Sequence, residues 1–279
     1  MRRNYYFTAL VLAAGALSAC RPDEVIKTED IPTAGVRFIN ALPDSAGAFG
    51  LDFRFVDIVE NNAQYHMTYR NGPATTSGVT GSNLTEFRPA RAGSRHFRIF
   101  LDDSLQTAAS TVLDDETVTL EAGKNYTVII WGQARLGTMK VTMFEDVPAD
   151  PGPGNVALRV LNATNAAIDG RYYLQGGAAP ATASWAGVAA YSASSFLSVP
   201  KGDYMYNIRA AGSATNYIAT DLLALKGTAA TVDIGAIPGT EIAGSAVTLV
   251  VYPPSTAGSR AAQFSTAGGA FMWDRRPSP

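Results

Sequence analysis

Two stretches of the chain, more than 100 residues apart, follow the same pattern, and this repetition constrains the fold more than any other feature of the sequence. The segment VRFINALPD at 36–44 is similar to LRVLNATNA at 158–166. Further matches keep the same order along the chain, which predicts two tandem copies of one domain. The matched pairs are Arg37/Arg159, Asn40/Asn162, Ala41/Ala163, Phe87/Phe196, Gly93/Gly202, Gly123/Gly227, Thr127/Thr231 and Val128/Val232.

Each copy is predicted to consist of short β-strands. Segments rich in β-branched and aromatic residues are bounded by Gly, Pro, Asp and Asn, which favour turns. In RHFRIFLD, Phe97, Ile99 and Leu101 alternate with mostly polar neighbours, as a strand buried on one face requires. Several such strands per copy are typical of a β-sandwich or a barrel. We therefore expect an all-β chain with an immunoglobulin-like β-sandwich in each half.

A cluster of chain-breaking residues separates the two copies. The segment DVPADPGPGN at 146–155 holds three prolines and two glycines, which oppose a continuous helix or strand. It is interpreted as a linker that few buried contacts cross. The predicted organisation is a signal peptide at 1–19, a lipidated tether at 20–35, domain 1 at 36–147, a linker at 148–155 and domain 2 at 156–279.

The first 20 residues have the pattern of an export signal. Arg2 and Arg3 precede an apolar stretch at 7–17, which is too short to cross roughly 30 Å of hydrocarbon as a stable helix. The stretch ends in Leu-Ser-Ala-Cys, which resembles the lipobox of bacterial lipoproteins. This resemblance implies cleavage before Cys20 and a membrane anchor through lipid on its thiol. The alternative is an ordinary signal peptide with an unrelated cysteine. Because Arg21 stands where Asp would retain a lipoprotein, the outer membrane is expected in a host with two membranes.

Composition narrows both the partners and the sources of stability. Cys20 is the only cysteine, so no disulfide stabilises the folded part. Loss of the leader reduces Lys and Arg from 22 to 20 against 24 Asp and Glu, a net charge of −4. Nucleic acid is not an expected partner, because phosphate binding needs clustered Lys and Arg. The locally basic segment 88–98 is interpreted as a solvated turn and strand face.

The first copy resembles a known family. The features that carry the resemblance are VRFINALPD, a Pro-x-x-x-Gly turn before an alternating strand, LEAGKNYTVIIWG, and a strand ending near EDVP. Over 36–148 they resemble the bacterial domain of unknown function family 4397. The resemblance implies a secreted or surface-attached β domain, often in tandem, with no activity attached to it. The second copy departs from the pattern, because ALPD becomes ATNA and AGKNYTV becomes KGTAATV.

Residues that carry most enzyme chemistry are sparse. The two histidines, His66 and His96, lie in different predicted segments and are interpreted as surface or satisfied core residues. The sequence contains no GxSxG nucleophile motif, no Cys/His cluster, no GxGxxG and no P-loop. We therefore predict no catalytic residues, no bound metal and no cofactor.

Two acidic clusters are the remaining candidates for chemistry, Asp102–Asp103 and Asp114–Asp115–Glu116. Such clusters suit a carboxylate pair for hydrolysis, a Ca²⁺ site, or hairpin turns in which Asp accepts backbone N–H bonds. The turn is the interpretation adopted, because both clusters fall where strands are expected to reverse.

Aromatic residues in the second copy are candidates for ligand binding. Tyr172, Tyr173 and Trp185 lie in a part rich in Gly, Ala and Ser. Exposed rings there would stack on sugars or anchor a protein partner, whereas buried rings would belong to the core. Trp131 and Tyr126 are assigned to core packing.

These observations predict a lipid-anchored cell-envelope protein that acts as a non-catalytic binding or structural module. Its expected partners are the membrane, through Cys20, and a polysaccharide or another envelope protein. The alternative is a carboxylate-dependent hydrolase on a β scaffold.

Overall fold

Short strands make up nearly all the regular structure, and the prediction of an all-β chain is confirmed. The computed structural model describes residues 30–44, 50–58, 65–67, 69–70, 86–102, 104–232, 235–259 and 261–277. The leader, Cys20 and Asp103 lie outside these ranges. The helical segments within them are one α-helical turn, α1 (Gln106–Ala109), and two 3₁₀ turns, Ala134–Leu136 and Ala262–Phe264.

The strands of the first half precede the Pro/Gly-rich segment, and those of the second half follow it. The first half contains β1 (Thr33–Asn40), β2 (Gly50–Phe55), β3 (Tyr65–Met67), β4 (Arg88–Arg91), β5 (Gly93–Asp102), β6 (Val112–Leu120), β7 (Asn125–Trp131) and β8 (Lys140–Glu145). The second half contains β9 (Asn155–Asn162), β10 (Ile168–Leu174), β11 (Trp185–Val188), β12 (Ser192–Ala193), β13 (Leu197–Pro200), β14 (Tyr204–Ala210), β15 (Leu222–Leu223), β16 (Ala246–Tyr252) and β17 (Gly268–Arg275).

The strands form four sheets, two in each half. The first half forms sheet A, in the order β4-β1-β7-β8, and sheet B, in the order β3-β2-β5-β6. The second half forms sheet C, β12-β9-β16-β17 with β13 also paired to β9, and sheet D, β11-β10-β14-β15. In sheet A, β1 runs parallel to β7, with Phe38 opposite Val128. In sheet C, β9 runs parallel to β16 in the same way, with Val160 opposite Leu249.

Sheets A and C bury both of their faces. In β1, Val36 and Phe38 belong to the core between sheets A and B, whereas the next residue along, Ile39, belongs to a different core. In β9, Val160 belongs to the core between sheets C and D, whereas Leu161 shares the core of Ile39. Successive side chains of a strand point to opposite faces, so the layers stack in the order B, A, C, D.

The core between sheets A and C joins the two halves. Its buried members are Ile39, Ala41, Tyr69, Ile129, Trp131, Leu161, Ala163, Val250, Tyr252, Ala261, Ala270 and Met272. Residues 33–279 accordingly form one compact unit. The expectation that few buried contacts join the halves is wrong. A Pro/Gly cluster ends a strand, but it does not prevent the sheets on either side of it from packing together.

Three of the matched residue pairs, all with a spacing of 104 positions, are also wrong: Gly123/Gly227, Thr127/Thr231 and Val128/Val232. The structural counterpart of Val128 is Leu249, and that of Gly123 is Gly244. Thr127 lies in β7 opposite Arg37, and the residue in the equivalent position of the second half is Thr248, opposite Arg159 in β16. Thr231, which the sequence pairs with Thr127, is exposed and lies outside the strands. The Gly and Thr residues at 227–231 resemble those before and in β7, but they lie ahead of β16, so the sequence match falls on the wrong residues.

The solvated-face interpretation of 88–98 fails at Arg95. This side chain is only 1% exposed, and its guanidinium carbon lies 4.4 Å from the ring centroid of Phe55. Its Nε donates to Asp57 Oδ2 at 3.1 Å. Burial opposes ionisation of Asp57, but the hydrogen bonds from Arg95 and the backbone outweigh it and lower the pKa of this carboxyl. Arg95 is therefore a structural ion-pair residue at the end of the first core.

Candidate functional site

Four ionised side chains lie buried between sheets A and C. Arg37 and Asp274, from opposite halves, are joined by a hydrogen bond of 2.5 Å from Nη2 to Oδ1. Arg159 and Asp146 make the reciprocal bond, also of 2.5 Å. The side chains of Arg37, Asp146 and Asp274 are fully buried, and that of Arg159 is 7% exposed. We call these four residues the charge cluster.

The parallel strand pairs position the arginines of the charge cluster. Arg37 in β1 donates from Nε to Thr127 Oγ1 on β7 at 2.7 Å. Arg159 in β9 donates from Nε to Thr248 Oγ1 on β16 at the same distance. Each threonine hydroxyl then donates to the aspartate of its own half, Thr127 to Asp146 and Thr248 to Asp274. Each arginine is thus fixed by its own sheet and bonded to the aspartate of the other half.

The charge cluster carries no net charge. Burial opposes ionisation of Arg159, but Asp274 and Asp146 outweigh it, so the pKa of this guanidinium is raised. Arg159 Nη2 also donates to Asp274 Oδ1 at 3.0 Å, which links both aspartates to one arginine. Two cations and two anions with these hydrogen bonds compensate the desolvation that an isolated buried charge would suffer.

An aromatic ring covers each arginine. The guanidinium carbon of Arg37 lies 4.3 Å from the ring centroid of Phe87, and that of Arg159 lies 4.5 Å from the ring centroid of Phe196. Cations over aromatic faces are attracted by the ring quadrupole. The two phenylalanines are one of the pairs matched in sequence, and they occupy matching places in the structure.

A cleft of about 600 Å³ opens beside the charge cluster, between the two halves. Its walls come from the turn before β7, the segment after β8, the residue preceding β4 and the end of β17. The lining residues are Phe87, Gly123, Lys124, Asn125, Glu145, Asp146, Val147, Pro148, Trp273, Asp274, Arg275 and Arg276. Ligand sites of proteins commonly have volumes of about 300 to 1,000 Å³. We call this feature the inter-half cleft, and it is the candidate functional site.

Two half-buried rings line the inter-half cleft. Phe87 and Trp273 meet edge to face, with 6.0 Å between ring centroids and an interplanar angle of 76°. Arg37 covers Phe87 from the protein interior, and Arg276 lies 4.7 Å from the ring centroid of Trp273. The backbone oxygen of Trp273 accepts a hydrogen bond of 2.8 Å from Arg37 Nη1. The charge cluster therefore holds both rings of the cleft in place.

The charged side chains on the rim of the cleft are paired. Lys124 Nζ lies 2.9 Å from Glu121 Oε2 and 3.1 Å from Glu145 Oε2, and these two carboxylates raise the pKa of the lysine. Arg276 lies 3.7 Å from Glu86. Each of these described rim side chains thus has an oppositely charged partner within 4 Å, and Lys124 is shared between two carboxylates.

The three aromatic candidates of the second half have different environments. Trp185 is 5% exposed and belongs to the core between sheets C and D, where it stacks on Tyr206 and donates from Nε1 to Ser195 O at 3.2 Å. It is a core residue, so the hypothesis of an exposed ring is wrong for Trp185. Tyr172 packs against the same core, 5.7 Å from Trp185 between ring centroids.

Tyr173 differs from these two rings, because it lies on the other face of β10. Its hydroxyl donates to Asp221, and this bond raises the pKa of the tyrosine to about 12. Asp221 also accepts a bond of 2.7 Å from Asn207 Nδ2. Tyr173 is thus half-buried in a polar network on sheet D, and it lies apart from the other two candidate rings.

The two histidines lie on different strands of sheet B, His66 on β3 and His96 on β5, with β2 between them. His96 on β5 contacts Asp115 on β6, and Arg98 Nε donates to the same carboxylate at 2.7 Å. These two bonds lower the pKa of Asp115. His66 lies opposite Asp52 in the β2–β3 register, and its side chain lies outside the described part of the chain.

The second acidic cluster lies inside a strand and not in a turn. Asp114, Asp115 and Glu116 are residues of β6, opposite Ile99, Arg98 and Phe97 of β5, so the turn interpretation is wrong for them. Burial raises the pKa of Asp114, and burial together with Asp114 raises the pKa of Glu116. The described residues between β5 and β6 are 104–111, and Asp103 and the side chain of Asp102 lie outside the description. Among described residues, no three His, Cys, Asp or Glu side chains are grouped closely enough to hold a metal ion.

Sequence reasoning did not find the charge cluster or the inter-half cleft. The repeat marks Arg37 and Arg159 only as matched residues, and nothing in it marks Asp146, Asp274 or Trp273. A signal was present, because each arginine interrupts an apolar strand at a position where its neighbours are buried. A charge in such a strand requires a buried counter-charge.

Comparison with known proteins agrees with the resemblance of the first half. Residues 34–169 match the model of the family DUF4397, a domain of unknown function. This match runs from β1 through β9 into the start of β10, so it extends past the predicted linker. A search of the curated proteins found no match. In the part of the chain that the structure describes, no helix has the length and apolar character needed to cross a bilayer.

Proposed function

We propose that this protein is a lipid-anchored module of the bacterial cell envelope that binds a partner or contributes to surface structure without catalysis. The observation that carries the proposal is the charge cluster, which fixes two β-sheet units to each other and places a cleft between them. The buried ionised groups of this cluster hold the fold together and position the rings of the cleft. Such an arrangement suits rigid presentation of a binding surface.

The module is built from two tandem copies of one domain. Arg37, Thr127 and Asp146 of the first half have counterparts in Arg159, Thr248 and Asp274 of the second half, with the same strand pairing and hydrogen bonds. A shared LDFRF/IDGRY pattern in β2 and β10 supports the same relation. Two mutually unrelated halves have no reason to share so many polar details.

Each copy is an immunoglobulin-like β-sandwich. Two packed sheets of four or five strands with an apolar core between them support this assignment. Along β5, the buried residues Arg95, Phe97 and Ile99 alternate with less buried neighbours, which is the pattern that sandwiches share.

The anchor is lipid on Cys20, the first residue that remains after the leader is cleaved. The Cys20→Ser variant lacks the thiol that accepts diacylglycerol, so we expect it to take up no label when cells are fed a palmitate analogue. The matched control is Arg21→Asp, which keeps the thiol and should be labelled like the parent. Equal label on Cys20→Ser and on the parent would exclude the anchor.

A carboxylate-dependent hydrolase is the second candidate, and one observation favours it. Asp114 and Glu116 lie two residues apart on β6, and both have raised pKa values. Pairs of carboxyl groups with perturbed pKa values occur in glycoside hydrolases. A substrate panel with the parent and with Asp114→Asn decides between the candidates. Turnover that Asp114→Asn abolishes would establish the hydrolase and overturn the non-catalytic module.

A further inference from the structure

The inter-half cleft has the composition of a site for an uncharged ligand. The described charged residues of its lining have oppositely charged partners: Lys124 with Glu145 at 3.1 Å and with Glu121 at 2.9 Å, Arg275 with Asp150 at 3.0 Å, and Arg276 with Glu86 at 3.7 Å. Asp146 and Asp274 are neutralised by the arginines of the charge cluster. An ionic ligand would gain little here, because every charged residue in the described lining already has a partner within 4 Å.

The rings of the cleft supply the apolar part of such a site. Phe87 and Trp273 are half-buried, and both line the cleft. Their positions are fixed by Arg37, which contacts the Phe87 ring and the Trp273 backbone. Rings that are rigid before binding lose little entropy when a ligand stacks on them.

Polar groups and apolar rings in one uncharged cleft match the chemistry of a sugar, which has hydroxyl groups at its edges and C–H groups on its faces. We propose that the inter-half cleft binds a neutral polysaccharide chain. Phe87 and Trp273 stack on its sugar rings, and the polar groups of the rim form hydrogen bonds with its hydroxyl groups. This inference rests on the proposed function of a binding module and names its ligand class. It places the ligand at the junction of the two halves and not at Tyr172, Tyr173 or Trp185.

Tryptophan fluorescence gives a direct test. The chain has three tryptophans, and Trp131 and Trp185 are buried, 0% and 5% exposed, which leaves Trp273 as the one in the cleft. The mature, detergent-solubilised protein is titrated with the neutral hexasaccharides cellohexaose, hexa-N-acetylchitohexaose and laminarihexaose, with calorimetry in parallel. We expect at least one of them to bind and to change the fluorescence, and Trp273→Phe to remove the fluorescence change.

The chain offers a matched pair of variants for the affinity measurement. Phe87→Ala and Phe196→Ala each remove a ring from an arginine of the charge cluster, but only Phe87 lines the cleft. We expect Phe87→Ala to weaken binding about 10- to 100-fold, as loss of a central interface ring does. Phe196→Ala should bind the hexasaccharide with an affinity within about twofold of that of the parent. Its loss of thermal stability should be similar to that of Phe87→Ala. If Phe87→Ala does not fold, Phe87→Leu and Trp273→Phe provide the comparison.

The possible outcomes distinguish a failure of the cleft proposal from a failure of the proposed function. If none of the three hexasaccharides binds, the proposal that the cleft is a polysaccharide site is overturned. The proposed lipid-anchored module is then tested separately, by the labelling of Cys20. Equal weakening by Phe87→Ala and Phe196→Ala also overturns the cleft proposal, because the effect is then structural. Binding that is lost in Tyr173→Ala and retained in Phe87→Ala moves the site to sheet D and overturns the proposal while keeping a binding module. Cleavage of a bound hexasaccharide overturns the non-catalytic function instead.

Discussion

Replacement of Asp274 by alanine is expected to destabilise the fold more than any exposed ion-pair substitution. Asp274 is fully buried and accepts hydrogen bonds from Arg37 at 2.5 Å, Arg159 at 3.0 Å and Thr248 at 2.5 Å. Its loss leaves two buried guanidinium groups with one carboxylate. Breaking a buried ion pair by removing one partner costs about 3 to 5 kcal/mol. In a unit of this size that corresponds to a fall in Tm of roughly 6 to 20 °C.

The matched control for this variant is Asp150→Ala. Asp150 forms an ion pair with Arg275 at 3.0 Å, but the side chain of Asp150 is 68% exposed. An exposed pair contributes far less to stability than a buried one. Urea unfolding followed by circular dichroism measures both variants under the same conditions. A loss below about 1 kcal/mol for Asp274→Ala, equal to that of the control, would refute the reasoning that the charge cluster stabilises the junction of the halves.

Two further predictions concern other parts of the fold. Trp185→Ala should lower the free energy of unfolding by about 3 to 5 kcal/mol, because Trp185 is a core ring. Tyr173→Phe removes only the bond to Asp221 and should lower it by about 0.5 to 1.5 kcal/mol. Equal losses in urea unfolding would contradict this difference in environment. Burial raises the pKa of Asp114 and Glu116 above their values in the unfolded chain, so stability is lost as the pH rises through these raised values. Asp114→Asn should therefore stabilise the fold at pH 7 by about 0.5 kcal/mol or less, since the pair is partly exposed. The gain should vanish below about pH 3.8, where the carboxyl group of Asp114 is protonated in both states. A stabilisation that does not depend on pH would rule out the raised pKa of Asp114 as its cause.

The sequence was sufficient to predict the strands, because their signals are local. The alternation of Phe97 and Ile99 with polar residues places both in the core, as the structure has them. Trp131 and Tyr126 are buried as well, as their apolar strand predicts. Strand propensity and one-face burial act over a few residues, so a single sequence carries them.

Contacts between the halves could not be predicted, because they depend on residues that lie far apart in sequence. Arg37 and Asp274 are separated by 237 positions, and nothing local in either strand indicates that they meet. Turn chemistry was similarly misleading at Asp114, where three acidic residues in a row suggest a reversal but lie on an edge strand whose partner supplies Arg98. Long-range ion pairs override local composition in both places.

The central structural claim is that the two halves form one unit through the charge cluster and the core between sheets A and C. A specific protease site inserted between Pro153 and Gly154, both exposed, allows the chain to be cut after folding. Size-exclusion chromatography with light scattering then measures the mass of the cut protein under native conditions. The account predicts a single species with the mass of the uncut chain, and two separate species of about half that mass would contradict it.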